Sequence, residues 1–151
     1  MTKCVLPSTP LPAFKGRKVE VNFEGGDITS DGGIILLQQM DRKLGLTEKV
    51  ASQFCDQRDD PTRVKHDQLS MVRQRLYGLA LGYEDLNDHS ALRRDSAFQT
   101  APPLYKEDDL ASSTTLCRFE NRADRAVALA LHEVLIEQFI SSGQRTQKSL
   151  A

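Results

Sequence analysis

The sequence has few cysteines, and no part of it is both long and apolar enough to span a membrane. Its three cysteines, Cys4, Cys55 and Cys117, lie far apart and form no C-x-x-C pair. An odd number of isolated cysteines argues against a disulfide framework and against a zinc ribbon, and favours reduced thiols. Apolar runs such as residues 34–37 are far shorter than the roughly 20 residues of a transmembrane helix. The N-terminal residues hold prolines where a signal peptide would have an apolar segment. We therefore expect a cytoplasmic protein without membrane segments.

An excess of charge of one sign is also absent. The 20 lysines and arginines are balanced by 21 aspartates and glutamates, which gives a formal net charge of −1 at pH 7. Bulk charge therefore excludes a strongly basic nucleic-acid-binding protein. Any surface that binds anions must come from local clustering of basic side chains.

Motifs for nucleotide binding and nucleophilic catalysis are missing as well. The glycine pairs at 25–26 and 32–33 match neither G-x-x-x-x-G-K-[ST] nor G-x-G-x-x-G, so they indicate a turn and a helix start. No G-x-S-x-G nucleophile motif occurs. The carboxylates and histidine at 84–89 are residue types that suit a divalent metal. Neighbours on one turn rarely converge on an ion, so helix capping and salt bridges are favoured, with metal binding and a partner contact left open.

What the sequence does contain is a helical pattern. With 151 residues, 39% of them hydrophobic, the chain fits one domain with a real core. Polar and apolar residues alternate at 18–23, which predicts one short strand, and apolar residues recur at spacings of three and four after it. The helices predicted by that spacing are 34–44, 47–54, 67–82, 88–94 and one that begins at 112 and runs through Ala123, with its continuation to Phe139 left open by a helical period that persists. The fold is therefore predicted to be mainly α, with one short N-terminal strand.

Three segments follow from this pattern. Residues 1–18 contain three prolines and are expected to form an extended arm, and residues 19–140 form the helical region. Residues 141–151 are polar and unpatterned, which predicts a disordered tail. Within the helical region, Gly45 is expected to end the first helix and Asp67 to cap the third.

Basic side chains are the most informative polar residues. They occur on the third helix, at the end of the short fourth helix, and on the last helix, where steps of three and four place them on one stripe. Arginine can pair with guanine edges or phosphates, and asparagine with adenine. The pattern alone favours a solvated face over DNA contact. The candidate DNA-binding residues are Arg73, Arg75, Arg93, Arg94, Arg118, Asn121, Arg122 and Arg125.

Five blocks of the sequence, in this order and spacing, resemble one family of proteins. Taken together, they resemble the N-terminal part of bacterial insertion-sequence transposases with a DDE catalytic domain, the family numbered thirteen-eighty. The resemblance extends from about residue 20 to residue 140. The blocks are 23–33, 41–47, 74–89, 92–95 and 115–122.

The resemblance implies DNA transposition as the activity. In such enzymes three carboxylates on an RNase-H-like sheet hold two divalent ions, usually magnesium, for phosphoryl transfer. The helical N-terminal region is expected to grip DNA and to assemble the complex. The expected partners are therefore DNA at the transposon ends and, in addition, full-length transposase or a second copy of the chain.

The first catalytic aspartate of the family is expected on a strand after the last helix. No aspartate occurs after Asp124, so we carry over no catalytic residue and no metal ligand. We expect a truncated transposase in which the RNase-H-like sheet is absent and which holds no cofactor of its own. Alternatively, the chain is a regulatory fragment that binds DNA or transposase and inhibits transposition.

Overall fold

The computed structural model describes residues 9–14, 17–21, 29, 31–56, 64–100 and 109–149, and this part of the chain is mainly helical, as predicted. None of its helices is long and apolar enough to cross a membrane. Single-turn 3-10 helices at Leu86–Asp88 and Phe98–Thr100 flank the short helix α4. The strands and α-helices in chain order are β1 (Thr9–Phe14), β2 (Arg17–Val21), α1 (Gly33–Leu44), α2 (Leu46–Ala51), α3 (Gln68–Ala80), α4 (His89–Leu92), α5 (Ser113–Glu120) and α6 (Arg125–Ser149).

The N-terminal strands pair as an antiparallel hairpin. Thr9 lies opposite Val21, and the register is irregular between Leu11 and Phe14. β2 corresponds to the strand predicted at 18–23, whereas β1 falls in the segment expected to be an extended arm. The sequence did not indicate a strand at β1, because its prolines lack the backbone N–H that strand pairing uses. A strand of a two-stranded sheet always has one free edge, where proline is tolerated.

Gly45 separates α1 from α2, which confirms the predicted end of the first helix. Its φ of 66° is left-handed, a conformation that glycine adopts without steric cost, and its N–H donates to the Asp41 carbonyl. The Asp41 carboxylate accepts hydrogen bonds from the Thr47 backbone N–H at 2.9 Å, from the Thr47 hydroxyl, and from the Tyr77 hydroxyl at 2.9 Å. One buried carboxylate therefore joins α1, α2 and α3.

The central helix α3 contributes to two hydrophobic clusters. Asp67 caps it as predicted, since its carboxylate accepts from the Ser70 N–H at 2.6 Å. Tyr77 packs in one cluster with α1 and α4, and Val72 packs in the other with α2, α5 and α6. Because α3 is covered on both sides, it also buries Gln74, whose amide exchanges two hydrogen bonds with the backbone of Ala111 at 2.9 and 3.0 Å.

The sequence left open whether the helix that begins near 112 continues to Phe139, and the structure has two helices there. α5 ends at Glu120 and α6 begins at Arg125, because the Asp124 carboxylate accepts from the Val127 N–H at 2.8 Å and so caps a new helix. The polar composition from residue 141 onward predicts a disordered tail, but α6 continues to Ser149. Extension of an existing helix fixes one residue for each hydrogen bond gained, so polar residues without proline can prolong it.

Candidate nucleic-acid interface

Arg73 makes its polar contacts with other residues of the fold. It lies on α3 with 14% of its side chain exposed, and its Nε is 3.6 Å from Asp41 and 3.2 Å from the Thr47 hydroxyl. Its Nη2 is 3.4 Å from Glu48 on α2. The guanidinium therefore compensates the buried charge of Asp41 and offers few donors to an external ligand.

Arg75, also on α3, connects its helix to α5 and to the segment that follows α3. Its Nε donates to Glu120 at 2.5 Å, and its other nitrogens donate to the carbonyls of Tyr83 and Glu84 at 3.2 and 2.8 Å. These acceptors use all sides of a planar guanidinium. The structure therefore gives Arg75 a role in positioning the chain after α3.

Arg93 and Arg94 share one carboxylate. The Nε atoms of Arg93 and Arg94 lie 3.1 and 3.3 Å from Asp109, and the Nη2 of Arg93 donates to the same oxygen. Hydrogen bonding by Arg93 is the main reason why the pKa of Asp109 lies below its usual value. Arg94 remains largely exposed, with 74% of its side chain accessible, so it retains donors on the surface.

The remaining candidates lie where α5 turns into α6. Arg118 is on the last turn of α5, Asn121 and Arg122 are in the turn, and Arg125 is the first residue of α6. The prediction that these residues share one helical stripe is wrong, because Asp124 starts a new helix between them. All of them are exposed. We call the segment 118–125 the α5–α6 corner.

The α5–α6 corner presents positive charge that its own acids do not neutralise. Within the described part of the chain, Arg118, Arg122 and Arg125 make no ion pair. Glu120 is engaged by Arg75, and the Asp124 carboxylate caps α6. Three guanidinium groups within eight residues, none of them paired with a described carboxylate, therefore face solvent, which is an arrangement suited to phosphate groups.

The segment at 84–89, for which the sequence left metal binding open, is built as a cap and a buried histidine. Asp85 accepts from the Asn87 N–H at 2.8 Å and caps the 3-10 helix. His89 is fully buried, with its Nδ1 3.3 Å from the Gln74 amide. Its Nε2 has no hydrogen-bond partner among the described residues and lies beside Gly78 on α3. The histidine therefore packs into the core rather than toward the neighbouring carboxylates.

The burial of His89 predicts that stability falls in mild acid. Burial, and next the charge of Arg75, hold the pKa of His89 below its ordinary value of 6.5. Below pH 6.5, His89 is protonated more readily in the unfolded chain than in the folded chain. We expect the free energy of unfolding to be unaffected by His89 above pH 6.5 and to decrease below it by at most about 1.4 kcal/mol per pH unit.

Urea unfolding at a series of pH values between 7.5 and 5 tests this expectation. His89→Gln should flatten the decrease, whereas His132→Gln, which alters an exposed histidine on α6, should leave it unchanged. An equal decrease in the wild type and in the His89→Gln variant would show that other groups cause it.

Comparison with known proteins identifies the class. The chain matches the family described as transposase DDE domain group 1 over residues 11–151, and it belongs to that family. A search of curated proteins and of solved structures found no match. The family implies a DNA substrate.

The family also implies divalent metal ions, and the described residues do not fit a centre for them. Among those residues, no group of three or more histidine, cysteine, aspartate or glutamate side chains could hold a metal ion. The buried Asp41 carboxylate is already saturated by Thr47, Tyr77 and Arg73. The described residues therefore provide no group of ligands for such ions, and the acids at 57–60 lie outside the described residues.

Proposed function

We propose that this chain supplies the DNA-binding and assembly region of a DDE transposase that moves an insertion sequence, and that the α5–α6 corner contacts the DNA. The observation that supports this proposal is that Arg118, Arg122 and Arg125 make no ion pair with the described residues of a chain that belongs to a transposase family. In the same chain, other candidate arginines are engaged by carboxylates. The free cysteines Cys55 and Cys117 fit action on DNA in the cytoplasm.

The α5–α6 corner is anchored by the packing of the helices on both sides of it. Leu116 and Phe119 of α5 are buried in the cluster that also contains Val134 of α6. Phe119 also stacks on Phe54 with ring centroids 4.7 Å apart. The helices on both sides of the turn are therefore anchored, so the arginines are displayed from a rigid support. A rigid support lowers the entropic cost of binding.

Removal of the corner arginines should weaken DNA binding. We expect Arg118→Ala and Arg122→Ala each to lower affinity for duplex DNA by about five- to tenfold at low salt, since each guanidinium neutralises a phosphate. The slope of log K against log salt concentration should also decrease by about one for each phosphate that is no longer neutralised. Fluorescence anisotropy of a labelled duplex at several salt concentrations measures both quantities.

Two controls separate this interface from general charge effects. Lys43→Ala removes one exposed positive charge from α1 and should leave both the affinity and the salt slope nearly unchanged. Arg122→Lys keeps the charge and should retain most of the binding if the arginine binds a phosphate. If the triple variant Arg118→Ala, Arg122→Ala, Arg125→Ala has unchanged affinity and an unchanged salt slope, the α5–α6 corner is not part of the DNA interface.

A regulatory role is the second candidate. The observation that favours it is the exposed apolar surface of α6, which is suited to a protein partner rather than to DNA. A regulator would bind DNA or transposase and inhibit transposition. Expression of the chain beside an active transposase of the same family should then lower the transposition frequency, whereas a frequency that does not change would contradict the regulatory role.

A further inference from the structure

Two acids lie among the arginines of the α5–α6 corner, and a free carboxylate there would weaken the binding of a phosphate. Glu120 is two positions from both Arg118 and Arg122. Asp124 directly precedes Arg125. Backbone positions two residues apart are at most about 7 Å from each other. This separation is within the Debye length of about 8 Å at physiological ionic strength. A corner that binds DNA therefore requires that its acids be engaged by other groups.

Asp124 is engaged at the start of α6. Its carboxylate accepts from the Val127 N–H at 2.8 Å. A carboxylate at the N-terminus of a helix is stabilised by the helix dipole, which partly compensates its charge. Glu120 has the opposite situation, because it is the last residue of α5 and the dipole is negative at that end. The compensation of Glu120 must therefore come from another part of the fold.

Arg75 of α3 supplies this compensation. Its Nε donates to the Glu120 carboxylate at 2.5 Å, and 16% of the Arg75 side chain and 40% of the Glu120 side chain are exposed. The guanidinium has further anchors, because it also donates to the carbonyls of Tyr83 at 3.2 Å and Glu84 at 2.8 Å. Salt screens a partly buried pair less than an exposed one. The charge of Glu120 is therefore compensated on the side of α3.

We propose that Arg75 is a positioning residue for the DNA interface, and that it acts by holding Glu120 away from the arginines of the corner. This role rests on the proposed function, since it concerns the same surface. While the ion pair is intact, the three guanidinium groups of the corner are available to phosphates. Once it is broken, the carboxylate of Glu120 competes with phosphate for Arg118 or Arg122 and repels the DNA backbone.

Two substitutions of Glu120 separate this role from a purely structural one. Glu120→Asp keeps the negative charge, but its side chain is one methylene shorter and no longer reaches Arg75. We expect it to lower the affinity for duplex DNA by about three- to tenfold and the slope of log K against log salt concentration by about one. Glu120→Gln breaks the same ion pair but leaves no charge, so it should bind DNA at least as tightly as the wild type. Fluorescence anisotropy of a labelled duplex measures both quantities.

A double-mutant cycle tests Arg75 itself. Arg75→Gln should lower the DNA affinity by about three- to tenfold in the wild type, but by less than about twofold beside Glu120→Gln, since no carboxylate then needs to be held. Circular dichroism verifies that each variant is folded. If Arg75→Gln does not fold, the two substitutions of Glu120 decide the question. Glu48→Asp is the matched control, because Glu48 also pairs with an arginine but lies on α2, so its affinity should equal that of the wild type.

The outcomes distinguish a failure of this role from a failure of the proposed function. If the triple alanine variant of the corner arginines loses DNA binding but Glu120→Asp binds like the wild type, the corner binds DNA and the role of Arg75 is wrong. Weakening by Glu120→Gln as large as that by Glu120→Asp would mean that the pair only holds α5 in place, which also overturns the role. So would an equal cost of Arg75→Gln in both backgrounds. If the triple variant retains wild-type affinity, the interface itself is wrong, and the positioning role is wrong with it.

Discussion

Asp41→Ala should lower the free energy of unfolding by about 3–5 kcal/mol, because a buried ion pair then loses one partner. The Asp41 carboxylate is only 7% exposed and lies 3.6 Å from the Nε of Arg73. It accepts from Tyr77 at 2.9 Å and from both donors of Thr47. Burial, followed by the charge of Asp41, raises the pKa of Tyr77, so the hydroxyl remains a donor. The substitution leaves all these donors without their acceptor.

Urea unfolding followed by circular dichroism measures the change. Glu48→Ala is the matched control, because Glu48 pairs with the same arginine but is 67% exposed. Its removal should cost less than about 1 kcal/mol, the range of surface ion pairs. If Asp41→Ala costs no more than Glu48→Ala, then Asp41 does not organise the junction of α1, α2 and α3.

Local signals in the sequence were sufficient to predict where several helices begin and end. Gly45 and Asp67 act through their own backbone conformation or their own capping bond, so the sequence alone reveals them. The break at Asp124 escaped prediction because apolar residues keep the helical period across it. An aspartate can cap a new helix or lie on the surface of a continuous one. The energy of packing decides whether the helix breaks at Asp124 or continues, and this energy depends on residues far away in the sequence.

The core positions of α3 show a second limit. Leu79 continues the apolar spacing of α3, yet it is 43% exposed, whereas the polar Gln74 is buried. Gln74 is satisfied by Ala111, which lies 37 positions away along the chain. A buried polar residue of this kind is visible only when its distant partner is known.

At the candidate interface, too, the sequence identifies residues but not the distant partners that they contact. The sequence identified the arginines but not the carboxylates that engage them. Asp109 lies 16 and 15 positions from Arg93 and Arg94 along the chain, yet its carboxylate accepts hydrogen bonds from both. Glu120 neutralises Arg75 across 45 positions. The three-dimensional arrangement shows that, among the candidate arginines, those at the α5–α6 corner make no ion pair within the part of the chain that the structure describes.

The contact between α3 and α4 leads to the last prediction. Gly78 lies in the interior of α3, and a Cβ atom at this position would be 2.9 Å from Cε1 and 3.1 Å from Nε2 of His89. The histidine ring is fully buried and cannot retreat into solvent. Overpacking of a filled core costs about 1–3 kcal/mol. We expect Gly78→Ala to lower the free energy of unfolding by that amount, despite the better helix propensity of alanine.

Gly143→Ala on α6 is the matched control, since no atom lies within 4 Å of the added Cβ. It should raise the free energy of unfolding by about 0.5–1 kcal/mol, the ordinary gain from alanine in a helix. A double-mutant cycle with His89→Ala then isolates the interaction between the two positions. Without the ring, Gly78→Ala should cost less, with a coupling of about 0.5–3 kcal/mol, as expected for residues in contact. Equal costs in both backgrounds would mean that the ring does not limit the space at Gly78. A measurable coupling would instead show that the absence of a side chain at Gly78 lets α4 pack against α3.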